Sequence, residues 1–256
     1  MALVYAHRGG AALRPENTIA AFDHGMACGA DGLELDVHLS KDGMVVVHHD
    51  ETLERTTSGR GRLVDHTAAE LAKLDAGFHF SDGDHGHAFR GLGIGVPTLR
   101  EVLHRYPTAR LIVELKVGGS RLAHRVVDEV REAGAIARVA IGSFHPEALN
   151  AVRTYEPAIA TGAAKEETRW ALYRSWIGIG IGDTPYREFQ VPLWSGLTPI
   201  VTRRFVAAAH RAGIPVKVWT VNAAETMRRL VSIGVDALIT DRPDLARSIV
   251  GTPAQR

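Results

Sequence analysis

Two periodicities alternate along the chain. Short apolar runs rich in Val, Ile and Leu read as strands at Leu3–Ala6, Leu33–Val37, Leu111–Leu115, Val139–Ser143, Ile159–Gly162, Phe189–Val191, Val216–Thr220 and Ala237–Thr240. Between most of them, apolar positions recur at helical spacing over 17–28, 121–133, 146–155, 168–177, 202–212, 223–233 and 243–250. The junctions repeat too: CGADGLELDV (28–37), AGAIARVAIGSF (133–144), AGIPVKVWTV (212–221) and IGVDALITD (233–241) each close a helix on glycine and enter a strand. Glycine suits that position because it takes positive φ without a steric penalty. Strands alternating with helices of this length build βαβ units and a parallel sheet. Eight such strands in 256 residues predict an α/β protein of the (β/α)8 TIM-barrel type rather than an open doubly wound sheet.

One stretch breaks the rhythm. Residues 50–96 are rich in Gly, His, Arg and Asp, with one short helical pattern near Ala68–Leu74. A helix resumes at Thr98, a suitable N-cap before LREVLHRY. So long a loop within a compact domain reads as an insertion or a functional lid. We read 50–96 as an insertion between the second strand region and the second helix, within a single domain spanning 1–256.

Composition agrees with one soluble domain. Apolar residues make up 45% and charged ones 23%, a globular balance. Lys and Arg number 30 against 29 Asp and Glu. That near-neutrality excludes nucleic acid as a generic partner and leaves room for a local basic pocket that holds one phosphate. Cys28 is the only cysteine, so no intramolecular disulfide and no thiolate metal site can form. It reads as a buried structural thiol rather than a nucleophile. No apolar run approaches the roughly 18 residues of a membrane span. The opening MALVYAHRGG lacks the basic and apolar regions of a signal peptide, and a cleaved presequence ending within it would remove the first strand; a cytoplasmic protein is expected.

In a parallel barrel the chemistry sits at the C-terminal strand ends. The first strand ends in His7-Arg8-Gly9-Gly10, a proton-transfer group beside a phosphate-binding cation, with glycines that permit close backbone approach. In the second strand Glu34 and Asp36 are two apart and share a face. Two carboxylates turned into a barrel call for a hard divalent cation; the alternative is a solvated polar face, which parallel strands covered on both sides seldom have. The third strand ends in Glu114 and Lys116 on one face, either site residues or a plain ion pair. Of His48 and His49, adjacent along the chain, only one can face the site. Lys217 and Trp219 point inward from the seventh strand, Trp219 as core packing or as the wall of a substrate pocket. His79, His85 and His87 lie in a Gly- and Asp-rich loop that reads as solvated surface.

Taken together, HRGG with PENT (15–18), ELDVHLSKDGMVVVHHDETLERTTSG (34–59), VPTLREVL (96–103), ELK (114–116), VWTVN (218–222) and ALITDRPD (237–244) resemble the glycerophosphodiester phosphodiesterase family over essentially the full chain. The resemblance implies a (β/α)8 barrel with a small insertion and metal-dependent hydrolysis of glycerophosphodiesters to sn-glycerol 3-phosphate and an alcohol. It implies His7 and His49 as the general acid and base, with Lys116 as a third catalytic group that also offers charge to the phosphate. Arg8 would hold the phosphate and Trp219 would wall the alcohol end. Glu34, Asp36 and Glu114 would hold one divalent cation, Mg²⁺ or Ca²⁺, with Mn²⁺ as a further candidate. His48 stands where the family commonly carries an aromatic or aliphatic residue. Attack could come from the neighbouring glycerol hydroxyl, through a cyclic phosphate, or from water. Two other functions fit the same residues: a lysophospholipase D, suggested by the apolar stretch Phe189–Trp194, and a non-catalytic barrel that binds phosphodiesters.

Overall fold

The computed structural model describes residues 1–81, 83 and 86–251. Eight parallel strands form the centre: β1 (Leu3–His7), β2 (Gly32–Leu39), β3 (Arg110–Leu115), β4 (Val139–Ser143), β5 (Ala160–Thr161), β6 (Phe189–Pro192), β7 (Val216–Trp219) and β8 (Ala237–Thr240). They pair in chain order, and β8 returns to β1 with Leu3 opposite Ala237 and Ala6 opposite Thr240. A parallel bridge between Gly162 and Glu188 closes the ring from β5 to β6, with the Ala163 amide donating to the Glu188 carbonyl at 2.9 Å. The fold is a TIM barrel.

Eight helices surround the ring: α1 (Ile19–Ala27), α2 (Leu99–Arg105), α3 (Ser120–Glu132), α4 (Pro146–Tyr155), α5 (Lys165–Ile177), α6 (Arg203–Arg211), α7 (Ala224–Ser232) and α8 (Pro243–Val250). Their starts follow local chemistry. The Thr98 hydroxyl accepts from the Glu101 amide while the Glu101 carboxylate accepts from the Thr98 amide, a reciprocal cap. The expected glycine junctions occur, as at Gly134 and Gly234 with φ of 61° and 88°. Helix α5 starts at Lys165, three residues earlier than its periodicity predicts, because the Glu167 carboxylate accepts from the Ala164 amide at 2.6 Å.

Period-two alternation sorts the strand residues into two cores. Val4, Ala6, Leu33, Leu35, Val37, Leu111, Val113, Leu115, Val216 and Val218 face outward and pack with the helices. Tyr5, Ile112, Ala237 and Ile239 fill the barrel interior, where Lys217 pairs with Glu188 at 2.7 Å over the Tyr5 ring. Lys217 therefore points inward, as expected, but at a level below the strand ends.

Between β2 and α2, a short strand Val45–Val47 pairs antiparallel with β2. The stretch 50–96 then packs Leu53, Leu63, Leu71, Ala76 and Val96 on Val46 in a small satellite core. It holds a 3-10 turn, Leu63–Asp65, and a one-turn helix, Ala68–Leu71. A two-stranded ribbon that the sequence pattern does not predict, Trp194–Ser195 with Thr198–Pro199, lies between β6 and α6. Cys28 caps α1 and is half-buried rather than buried, because the helix ends at the surface. Burial raises its thiol pKa, the wrong direction for a nucleophile.

Outside the site, Glu129 of α3 is buried with neither carboxylate oxygen hydrogen-bonded; any contact with the Val45 amide is too weak to offset burial. Burial pushes its carboxyl up to about 7, against the opposing charges of Arg100 and Arg125. A carboxyl raised on folding costs stability as it ionises, so the native state weakens as pH rises from about 4.5 to about 7. Glu129→Gln should therefore raise the unfolding free energy by about 2 kcal/mol at pH 8, allowing for partial solvent access, and by little at pH 4.5. Urea unfolding at the two pH values checks this, and a difference independent of pH would contradict it.

Candidate active site

The strand ends bring the acidic residues together by register. Asp36 stands opposite Glu114 across β2 and β3, and His7 stands opposite Glu34 across β1 and β2. One ligand atom from each of Glu34, Asp36 and Glu114 lies within 4.8 Å of the others. Glu34 and Asp36 are buried. Burial, together with the negative charges of Asp36 and Glu114, holds the Glu34 carboxyl well above the usual carboxylate range, against the pull of His7. Three crowded oxygen donors with so little solvent fit a hard divalent cation.

Two cations of the chain already lean on this cluster. Lys116 Nζ lies 2.9 Å from Glu114 and 3.4 Å from Asp36. Burial opposes its charge, but the two carboxylates outweigh that and raise its pKa. Arg8 Nε approaches Asp36 at 3.1 Å, an ion pair without hydrogen-bond geometry, and Nη1 donates to Glu16 at 2.9 Å. The Arg8 backbone is left-handed, φ 49°, and its amide donates to Glu34 at 3.1 Å. Such a conformation costs of order 1–3 kcal/mol for a non-glycine residue and persists only where its surroundings hold it. Here Glu34 holds its amide and the Asn17 amide donates to its carbonyl at 2.9 Å.

Two histidine–aspartate pairs flank the cluster. His7 Nδ1 donates to Asp241 at 2.6 Å, and Nε2 sits 3.7 Å from Glu34. Burial alone would lower the His7 pKa; Glu34 and then Asp241 outweigh it and raise it. His49 Nδ1 donates to Asp50 at 2.6 Å. Asp50 is drawn down to about 2, against its burial, by hydrogen bonds from Arg55 and His49. Arg55 also spans to Glu16 at 2.7 Å, tying the start of the 50–96 stretch to the loop after β1. His7, Arg8, Glu34, His49, Glu114, Lys116 and Trp219 line one cavity of about 260 Å³. His48 is buried away from it, its Nε2 donating to the Thr52 carbonyl at 3.2 Å. Of the loop histidines, His87 donates to the Phe80 carbonyl and His79 packs on Phe78, while His85 lies outside the described residues. Gly9 permits a close approach, as expected, and the element that approaches is α1: a Cβ there would meet Ala21 at 2.6 Å.

The chain matches the family described as the glycerophosphoryl diester phosphodiesterase family over residues 7–245. The chain belongs to that family. It is a phosphoric diester hydrolase by class. The glycerophosphodiester phosphodiesterase of Caldanaerobacter subterraneus subsp. tengcongensis is 35% identical over 97% of each chain. A lysophospholipase D of Homo sapiens is 28% identical over 96% of this chain and 85% of its own. The solved structure of an Oleispira antarctica phosphodiesterase in complex with the product sn-glycerol-3-phosphate superposes with a TM-score of 0.75 at 26% identity, covering 97% and 96% of the two chains.

Several site residues escaped the sequence reading. Asp241 ends β8 and Asn222 follows β7; the Asn222 amide donates to Asp241 at 2.7 Å and its carbonyl oxygen accepts from the Asp241 amide at 2.9 Å. The strand-end rule points at Asp241, but nothing in its neighbourhood along the chain pairs it with His7. Asn17 Nδ2 donates to Asp36 at 2.9 Å. Gln190 crosses the barrel from β6, and a Cβ at Gly142 would collide with its Oε1. Gln190, Glu114 and Phe144 join the first cavity to a second of about 590 Å³, bordered by Leu172, Tyr173, Val191, Pro192, Ile200 and the ribbon. Trp219 meets Phe144 edge to face at 5.8 Å beside this passage.

Asp241 fixes which His7 nitrogen carries the proton, so Asp241→Asn should lower kcat by roughly 10²–10⁴ with little change in KM. Steady-state kinetics on a soluble glycerophosphodiester measure this, and a wild-type kcat would separate Asp241 from His7.

Proposed function

We propose that the chain hydrolyses glycerophosphodiesters to sn-glycerol 3-phosphate and an alcohol in a metal-dependent, histidine-catalysed reaction in the cytoplasm. The observation that carries this reading is the pair of histidines, each braced at Nδ1 by an aspartate, facing one cavity with three clustered carboxylates. Bracing Nδ1 leaves Nε2 of each ring free to exchange a proton with the substrate. One histidine accepts the proton of the nucleophile as the new P–O bond forms. The other donates a proton to the departing alcohol oxygen as its P–O bond breaks. The same pair serves whether the nucleophile is the neighbouring glycerol hydroxyl or water.

Arg8 and Lys116 supply positive charge beside the position of the phosphoryl oxygens. The contacts to Asp36 and Glu16 use Arg8 Nε and Nη1 and leave Nη2 for the phosphate. Glu34, Asp36 and Glu114 would hold Mg²⁺, Ca²⁺ or Mn²⁺. When bound, such an ion neutralises charge that develops on the phosphoryl oxygens. Trp219 walls the alcohol side. We treat 1–256 as one domain in which the 50–96 insertion delivers Asp50 and Arg55 to the site. The lone half-buried cysteine is compatible with a reducing compartment.

The second cavity favours a second substrate class. Its Leu172, Val191, Pro192 and Ile200 lining, continuous with the site through Gln190, would accept the acyl chain of a lysophospholipid. The lysophospholipase D relative supports that reading.

His7→Ala and His49→Ala should each cut release of glycerol 3-phosphate from glycerophosphocholine by at least about 10³ while leaving thermal unfolding within a few degrees of wild type. Activity that persists in either variant would remove that histidine from the mechanism. Chelation with EDTA should abolish turnover, and Mg²⁺, Ca²⁺ or Mn²⁺ should restore it in the wild type but not in Asp36→Asn. Comparing lyso-phosphatidylcholine with glycerophosphocholine decides the substrate class.

A further inference from the structure

Helix α5 differs from the other outer helices. In α3, α6 and α7 the outward positions are charged, as at Arg121, Arg125, Arg204, Arg211 and Arg228. In α5, Ala171 and Leu172 are buried inward while Trp170, Tyr173 and Ile177, at helical spacing, point to solvent with Trp170 67% and Ile177 70% exposed. Trp176 packs at a tilt beside Tyr173, with ring centroids 5.3 Å apart. Across the mouth of the larger cavity the ribbon adds Trp194, 54% exposed, and Leu197, 97% exposed at its tip. Both elements border that cavity, α5 through Arg169 and Tyr173 and the ribbon through Ser195 and Thr198. Isolated apolar side chains on a surface are ordinary, but several large aromatic and aliphatic groups exposed on the two elements that border one cavity are not.

The chemistry of the rim selects the occupant. Tryptophan and tyrosine combine an apolar ring with a polar edge and settle at the boundary between lipid headgroups and acyl chains. Lys165 and Arg169 on the same rim are exposed and pair with no carboxylate among the described residues, so they offer charge to an anionic headgroup. A second protein copy seated here would close the opening, whereas a lipid surface would present substrate to it.

We propose that the face formed by α5 and the ribbon docks on an anionic phospholipid surface, with the cavity mouth facing the membrane. The proposal rests on the lysophospholipid reading only for its benefit to the reaction; the docking itself stands on the rim. A lipid substrate would enter with its acyl chain along the apolar lining and its phosphodiester toward Glu114 and Lys116.

Three of the four tryptophans lie on this face, so the protein reports its own docking. Adding phosphatidylcholine–phosphatidylglycerol vesicles to the full chain should shift tryptophan emission to the blue and carry the protein into the vesicle pellet. Phosphatidylcholine vesicles should do so more weakly, and added salt should reverse much of the binding. Trp170→Ser with Leu197→Ser should weaken vesicle binding by at least about tenfold, given the free energy of burying two large apolar groups. These exposed positions should leave the unfolding temperature and the turnover of soluble glycerophosphocholine unchanged. No emission shift and no co-sedimentation of the wild type would overturn the proposal. So would a dimer in sedimentation velocity that the double variant dissociates, since a second copy would then cover the face. Vesicle binding without lysophospholipid turnover would uphold docking and reject the substrate reading. Turnover of micellar lysophospholipid without vesicle binding would reject docking alone.

Discussion

The site depends on one electrostatic constraint: three carboxylates converge where the barrel offers little water. Glu34, Asp36 and Glu114 would repel one another without compensation, and at Glu34 burial already favours the neutral form. Lys116 and Arg8 offset part of that cost at Asp36 and Glu114. Asn17, itself left-handed at φ 57°, adds a neutral donor to Asp36. The same arrangement of oxygen donors fits a divalent cation, and the loop after β1 bends onto it, with the Arg8 amide on Glu34 and the Asn17 side chain on Asp36.

Strand register turns that constraint into a reaction site. Placing His7 opposite Glu34 and Asp36 opposite Glu114 sets the histidine and the acidic cluster at one level of the barrel. Below that level the interior is filled by Tyr5, Ile112 and Ile239 and by the Lys217–Glu188 pair. A buried pair of this kind adds little net stability, because desolvation offsets most of its attraction. Its evident effect is to keep a packed floor beneath the chemistry. The 50–96 stretch braces the other histidine, since Arg55 joins Asp50 to Glu16.

The larger cavity gives the site a direction. Gln190 can lie across the barrel because position 142 carries no side chain. The passage it borders leads from Glu114 toward α5 and the ribbon, away from the braced histidines.

The sequence by itself determined the barrel, because period-two strands, period-3.6 helices and glycine junctions are local properties that each segment expresses alone. It also placed Glu34, Asp36, Glu114 and Lys116 on common faces, since parity within a strand needs no partner. Motif resemblance then singled out His49 over His48, and in the fold His49 lines the cavity while His48 turns to Thr52. Tertiary structure alone decided the pairings that cross the chain: Asp241 with His7 is a contact over 234 positions, and Arg55 with Glu16 one over 39. It also decided that Gly9 serves helix packing and that Lys217 lies in the floor. These outcomes depend on which strands are neighbours and at what register, and hydrogen bonds and sterics fix that only once the ring has closed.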